Sequence, residues 1–339
     1  MHRCLQLAKL GAGNVAPNPM VGAVLVYENE IIGEGYHQQY GQAHAEVNCI
    51  NNVSDADRSL IEKSTLYVSL EPCAHYGKTP PCADLIIKNK IPNIVVACRD
   101  SYEEVHGKGI QKLQQAGVNV IVGILEKEAL ELNKRFFTFH TKQRPYIILK
   151  WAESRDAKIA NKDLSAVKIS NDITNRLVHK WRSEEAAILV GTNTALYDNP
   201  SLTTRLWKGK NPVRLVIDLQ LKLPISLHLF DEEVKTIVFN QVKDEEANGV
   251  MFYKLPSGEG IIPGLFNAMY QLKIQSVLVE GGARLLQSFI DQNCWDEARV
   301  ITNEQLMIDR GIEAPELKNN SLVNINKATG NLVVFYQPG

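Results

Sequence analysis

Four residues in the first third of the chain have the types and spacing to do chemistry: His44, Glu46, Cys73 and Cys82. One imidazole and two thiolates are three ligands for a zinc ion, a set that leaves a fourth position to water. Zinc held in this way lowers the pKa of its water towards ~7, so hydroxide is available at neutral pH. Glu46, two residues from His44, is placed to take a proton from that water and pass it to a leaving amine. Eight residues separate Cys73 from Cys82, against two in the commoner Pro-Cys-x-x-Cys spacing of such sites. The second cysteine still stands where geometry wants it. Pro80-Pro81 leads into Cys82-Ala83-Asp84-Leu85-Ile86-Ile87, which predicts a helix start, and a thiolate there is stabilised by the helix dipole. The competing readings are three unrelated core residues and a closed structural zinc site. The latter needs a fourth protein ligand, and the one nearby candidate, His75, follows Cys73 too closely to share its metal without strain. His75 is read as facing substrate.

The elements around these residues form a layered α/β pattern. Residues 2–10 predict a short helix, and Met20–Val26 with Glu30–Gly35 a hairpin. His44–Ile50 begins a helix, whose first-turn N–H groups favour a carboxylate at Glu46. Thr65–Ser69 is a strand that delivers Pro72-Cys73 at its end, and Asn93–Ala97 and Val118–Val122 are further strands with a helix over Gly109–Ala116. Glu126–Thr141 has the spacing of a single helix. Gln143-Arg144-Pro145 is the boundary candidate, giving domains 1–144 and 145–339, because proline bars continuation and a strand, Tyr146–Trp151, starts at once. Beyond it the alternation restarts: a helix capped by Asn171, strands at Ala186–Gly191, Pro212–Leu219 and Lys235–Asn240, a helix over Pro263–Leu272, then strand Ser276–Val279 and a helix after Gly281-Gly282. Closing strands follow at Arg299–Thr302, Val323–Ile325 and Leu332–Tyr336. Sites in such sheets lie at strand ends.

Composition excludes several classes. With 339 residues, 22% of them charged and 45% hydrophobic, the chain has room for two ordinary cores. A formal net charge of -1 offers no positive field for a polynucleotide. Two of the six cysteines belong to the metal reading; Cys4, Cys49, Cys98 and Cys294 read as core thiols of a reducing compartment. No basic-then-apolar signal segment and no long uncharged apolar run is present. A cytoplasmic protein without membrane or nucleic-acid partners is expected.

The second half is less explicit. Val277-Leu278-Val279-Glu280-Gly281-Gly282 is an apolar strand entering a glycine pair and a helix. Such a turn brings backbone N–H groups close to phosphate, or is simply tight. Asp198–Arg205, with Lys150, Ser170 and Arg182, offers cations, acids and hydroxyls to a phosphorylated ligand, or solvated surface charge. No Gly-x-Gly-x-x-Gly follows a strand, so a standard dinucleotide fold is not expected.

With these residues in hand, the whole chain resembles the bifunctional deaminase–reductase family of riboflavin biosynthesis. Asn18-Pro19-x-Val21-Gly22, His44-Ala45-Glu46 and Leu70–Cys82 are similar to its deaminase motifs, and His75-Tyr76-Gly77-Lys78-Thr79-Pro80-Pro81 separates it from other zinc deaminases. Lys150-x-Ala152-x-Ser154-x-Asp156, Leu189-Val190-Gly191, Asp198–Arg205 and Val279–Gly282 are similar to the reductase half. The resemblance implies a cytidine-deaminase-like α/β/α domain followed by a dihydrofolate-reductase-like α/β domain. It also implies zinc and NADPH as cofactors, a small pyrimidine nucleotide as substrate, and a homodimer or homotetramer.

By the family pattern, deamination at the 2-position of the pyrimidinone precedes NADPH reduction of the ribosyl group to ribityl. Asn18, His75, Lys78, Thr79 and Asp100 would hold the first substrate, with Lys78 on its phosphate. Lys150, Ser170, Arg182, Asp198, Leu202, Arg205 and Glu280 would face the second. Ala152, Ser154, Asp156, Thr194, Gly281 and Gly282 would lie along NADPH. The chain departs from the pattern at Ser101-Tyr102, Arg155, Ala157, Lys168 and Met307–Gly311, and Met1 falls inside the family's first helix, leaving room for further residues upstream. The rivals are a deaminase of nucleic acid or another nucleotide with a silent second half, and a binding module with structural zinc.

Overall fold

The computed structural model describes residues 1–76, 80–101, 107–163, 167–258, 260–328 and 330–339. The chain divides into two compact units, Met1–Lys142 and Gln143–Gly339. Among the described residues no helix is long and apolar enough to cross a membrane.

The first unit holds α1 (His2–Lys9), β1 (Gly22–Tyr27), β2 (Glu30–Tyr36), α2 (Ala45–Asn51), β3 (Thr65–Val68), α3 (Cys82–Lys88), β4 (Asn93–Val96), α4 (Lys108–Gln115), β5 (Asn119–Val122), α5 (Glu126–Leu132) and α6 (Lys134–Lys142). Its sheet runs β2-β1-β3-β4-β5. The first three strands are antiparallel neighbours, and β3, β4 and β5 are parallel. The hairpin turns at Glu28 and Asn29, both with positive φ, the left-handed conformation that suits a tight connection of twisted strands. Alternation along β1 serves both faces. Ala23 and Leu25 pack with Cys49 and Ile50 of α2, Ile86 of α3 and Leu113 of α4, while Val24 packs with Cys4 and Leu7 of α1. Helices therefore cover both faces, giving three layers.

The single helix expected over Glu126–Thr141 is two. The break falls at Asn133, a buried residue whose side-chain amide accepts from Met20 N at 2.8 Å and donates to Met20 O at 2.9 Å. The backbone of Asn133 keeps its helical bonds, N–H to Ala129 O at 3.3 Å and O from Phe137 N at 3.0 Å, so its side chain ties the α5–α6 junction to the segment before β1.

The second unit holds β6 (Tyr146–Ser154), β7 (Lys158–Asn161), α7 (Asp172–Glu184), β8 (Ala187–Gly191), α8 (Thr192–Asp198), β9 (Val213–Ile217), β10 (Thr236–Asn240), β11 (Glu245–Ala247), β12 (Val250–Lys254), α9 (Ile261–Gln271), β13 (Ser276–Glu280), α10 (Ala283–Asp291), β14 (Glu297–Asn303), β15 (Gly311–Glu313), β16 (Asn320–Ala328) and β17 (Asn331–Pro338). Its main sheet runs β11-β12-β10-β9-β8-β13-β6-β14-β17-β16. Ile147, Leu149, Val277 and Val279 face α9 and α10; Tyr146, Ile148 and Leu278 face Val178 and Trp181 of α7. The α7 start is a capping box. Asn171 accepts from Ile173 N and Thr174 N, and Thr174 Oγ1 accepts from Asn171 N. The neighbours β8, β13 and β6 are parallel but far apart in sequence, so their carboxyl ends open a crevice at a topological switch.

Candidate active sites

His44 is the N-cap of α2 with extended backbone, and its side chain makes no capping bond. The ring turns instead to the cysteines, Nδ1 lying 3.6 Å from Cys73 Sγ and 3.4 Å from Cys82 Sγ. Cys73 follows the end of β3, and Cys82 is the first residue of α3 behind Pro81. The backbone closes the two cysteines on each other: Cys82 N donates to Cys73 Sγ at 3.3 Å and Ala83 N to Cys73 O at 3.1 Å. The three ligand atoms lie within 4.8 Å of one another, and among the described residues no other His, Cys, Asp or Glu joins the group. One nitrogen and two sulfurs at that spacing suit a tetrahedral zinc with a position to spare.

Electrostatics favour a thiolate at Cys73 and oppose one at Cys82. The hydrogen bond from Cys82 holds the Cys73 thiol well below its ordinary value, with His44 adding to the effect, and the same contact pushes Cys82 up. Glu46, in the first turn of α2 and 3% exposed, is pushed up by burial and by the charge of Cys73, and meets the Cys82 thiol. Burial likewise pushes the Cys4 and Cys98 thiols up to about 12, which leaves them inert core groups.

Asn18 reaches this centre through a residue the sequence reading passed over. Its Nδ2 is 3.2 Å from Nε2 of His37, whose Nδ1 is 3.1 Å from Ala43 O, and the His37 and His44 rings meet edge-on at 5.4 Å between centroids. His75 is half-buried two residues past Cys73, and Asp100 is buried beyond β4. Lys78 and Thr79 lie outside the described residues.

The second unit has a cavity of about 1230 Å³ at the carboxyl ends of β6, β8 and β13. Lys150, Ala152, Ser170, Arg182, Thr194, Asp198, Leu202, Glu280, Gly281 and Gly282 all line it. Across the sheet Glu280 sits opposite Lys150. Arg182 grips Glu280 with two bonds of 2.8 Å, donates to Thr203 O at 3.2 Å, and Lys150 Nζ lies 3.7 Å from the same carboxylate. Burial alone would push Glu280 up; Arg182 and Lys150 outweigh it and hold the group down to about 2. Burial pushes Lys150 down and Asp198 up. Leu202 is buried with φ of 54°, a conformation leucine rarely adopts, so the chain there is held against its preference.

Gly281 and Gly282 both have positive φ, and a Cβ on Gly281 would stand 2.6 Å from Cγ2 of Thr194. Only glycine lets the β13–α10 turn lie that close to α8. The turn opens the cavity onto the α10 N-terminus, a donor set that suits a dinucleotide's phosphates. Three residues stand apart from the lining. Ser154 Oγ donates to Asp156 at 2.6 Å and accepts from Lys158 N at 3.0 Å, and Asp156 accepts from Ile308 N and Asp309 N. Arg205 lies outside the cavity beside Thr203.

Fold and site together define a zinc-dependent hydrolytic module of the deaminase class, followed in the chain by an α/β unit with a nucleotide-sized cavity. The comparisons agree: residues 1–98 match the cytidine and deoxycytidylate deaminase zinc-binding region, and residues 145–306 match the RibD C-terminal domain. The chain belongs to the RibD family of riboflavin-biosynthesis proteins. It is 38% identical to the riboflavin biosynthesis protein RibD of Aquifex aeolicus, over 99% of this chain and 97% of that one. It is 40% identical to that of Bacillus amyloliquefaciens, over 88% and 81%. Among solved structures it superposes with TM-score 0.90 on a diaminohydroxyphosphoribosylaminopyrimidine deaminase/5-amino-6-(5-phosphoribosylamino)uracil reductase from Thermotoga maritima. That protein is 34% identical, and the match covers 100% of this chain and 97% of the other.

Proposed function

We propose that residues 1–144 remove the 2-amino group of 2,5-diamino-6-ribosylamino-4(3H)-pyrimidinone 5′-phosphate by hydrolysis, and that residues 145–339 reduce the ribosyl group of the product to ribityl with NADPH. The observation that carries the reading is the convergence of His44 Nδ1 and the sulfurs of Cys73 and Cys82 within 4.8 Å, with the buried Glu46 against Cys82. Zinc, when bound there, supplies the Lewis acidity that brings water's pKa to ~7. Glu46 takes the proton of the attacking water and returns it to the departing nitrogen, so that C–N is exchanged for C–O and ammonia leaves. Asn18, held by His37, His75 and Asp100 orient the ring, and Lys78 with Thr79 holds the phosphate.

In the second unit NADPH supplies the hydride, and the protein's task is to place its ring beside C1′. Thr194, Gly281 and Gly282 would hold the cofactor's phosphates, and Ala152 of β6 also lines the cavity. Ser154 and Asp156 act by holding the β6–β7 turn rather than by touching the cofactor. Lys150, Ser170, Arg182, Asp198, Leu202, Arg205 and Glu280 bind the substrate, Glu280 being kept ionised by its two cations. The chain works as a homodimer or homotetramer, a reading supported by β16, the outer strand of its sheet with Leu322, Val323 and Ile325 exposed.

Ammonia release and NADPH oxidation, measured on one preparation given the diaminopyrimidine nucleotide, test the proposal. Both should appear in sequence. Ammonia without NADPH oxidation, even when the deaminated nucleotide is supplied, would remove the second activity.

A further inference from the structure

Glu71 is a buried carboxylate, 4% exposed, that the deamination reading leaves unused. It lies between β3 and the ligand Cys73, and its own N–H donates to Cys98 O at 3.0 Å. Each of its carboxylate oxygens accepts two backbone N–H groups. Oε2 takes Asp100 N at 3.2 Å and Gly107 N at 3.1 Å; Oε1 takes Gly109 N at 3.1 Å and Ile110 N at 3.3 Å. Three of these donors belong to the start of α4. Its N-cap, Gly107, has no side chain to accept them, and its first turn holds no acid. The same join is fixed sterically: a Cβ on Gly109 would lie 1.9 Å from Pro72 O, so α4 rests on the backbone that precedes Cys73.

We infer that Glu71 is a positioning residue for deamination. It fixes Asp100 and the α4 start against the Pro72-Cys73 segment, and so sets the spacing between a metal ligand and the acid that faces the pyrimidine. The inference rests on the reading of Asp100 as a substrate residue. The geometry asks for a carboxylate and not merely a polar group. An amide of the same size accepts at one end and presents N–H at the other, where two buried donors already point. Those donors lose their partner, and the Asp100 backbone loses its place. Glu46 and the three ligands keep their own contacts, so the loss falls on substrate binding rather than on the metal.

The test uses the full chain, with zinc content, deamination and reduction measured on each variant. Glu71→Gln should raise the deamination KM about tenfold or more, tenfold being ~1.4 kcal/mol, with about one zinc per chain retained and reduction unchanged. Glu71→Asp, which keeps both acceptor oxygens on a shorter stem, should lie between Glu71→Gln and the natural chain. Asp100→Ala should raise the same KM. Leu113→Ala, which opens the core under α4 without touching the clamp, should lower the melting temperature and leave KM in place. An equal rise of KM in Leu113→Ala, zinc loss from Glu71→Gln, or Glu71→Asp no better than Glu71→Gln would overturn the inference. So would a normal KM in Glu71→Gln beside a raised one in Asp100→Ala. A normal KM in Asp100→Ala would instead withdraw that residue's role, and the inference with it.

Discussion

At the scale of single residues, deamination turns on Glu46. It is buried against Cys82 in the first turn of α2, where it has the position of a proton carrier. Glu46→Gln should keep about one zinc per chain and lose deamination by ~10²–10⁴-fold, the size of a general acid–base contribution; metal analysis and ammonia release check both halves of that statement. Lys78 belongs to the same scale. Lys78→Ala should weaken the phosphorylated nucleotide far more than its dephosphorylated analogue, and equal losses in a binding assay would remove its phosphate role. The metal set was legible in the sequence because its residue types are rare in combination. His37 and Glu71 were not, because their types are common and their meaning comes from partners. His37 acts through Asn18 and Ala43, and Glu71 through N–H groups that begin 29 residues downstream.

At the scale of elements, stretches with a local signal were readable, the four-residue strands β3, β4 and β5 among them, and those set by distant partners were not. The hairpin β1–β2, the Asn171 cap and the strand before Gly281-Gly282 each carry a local signal. The short strands β7 and β15 form a separate pair between distant segments, a register no local pattern encodes. Helix α8 follows β8 directly with only Gly191 as cap, so nothing announces it. The Asn133 tie is equally non-local, its partner Met20 lying 113 residues away. Two predictions live here. Gly281→Ala should abolish NADPH binding in an equilibrium titration while ammonia release persists, because both φ and the Thr194 contact exclude a Cβ. The second concerns pH. Glu280 is depressed to about 2 from 4.5, so its ion pairs contribute stability that is complete above the unfolded value and lost as pH falls from about 4.5 towards 2. Denaturant midpoints of the second unit should drop across that window. In Glu280→Gln the midpoint should start lower, two buried cations being left unpaired, and change less with acid.

At the scale of the whole molecule, each unit has its own core, and the two halves match two family models in the same order. A segment from residue 145 onward should therefore fold and oxidise NADPH when given the deaminated nucleotide; a folded segment without turnover would contradict the division of labour. The measurement that bears most directly on the central claim is zinc-edge X-ray absorption on the purified full chain, read together with metal content. About one zinc per chain is expected, bound by two sulfurs, one imidazole nitrogen and one exchangeable light atom. A metal-free active chain, or a first shell closed by a fourth protein ligand, would contradict the claim.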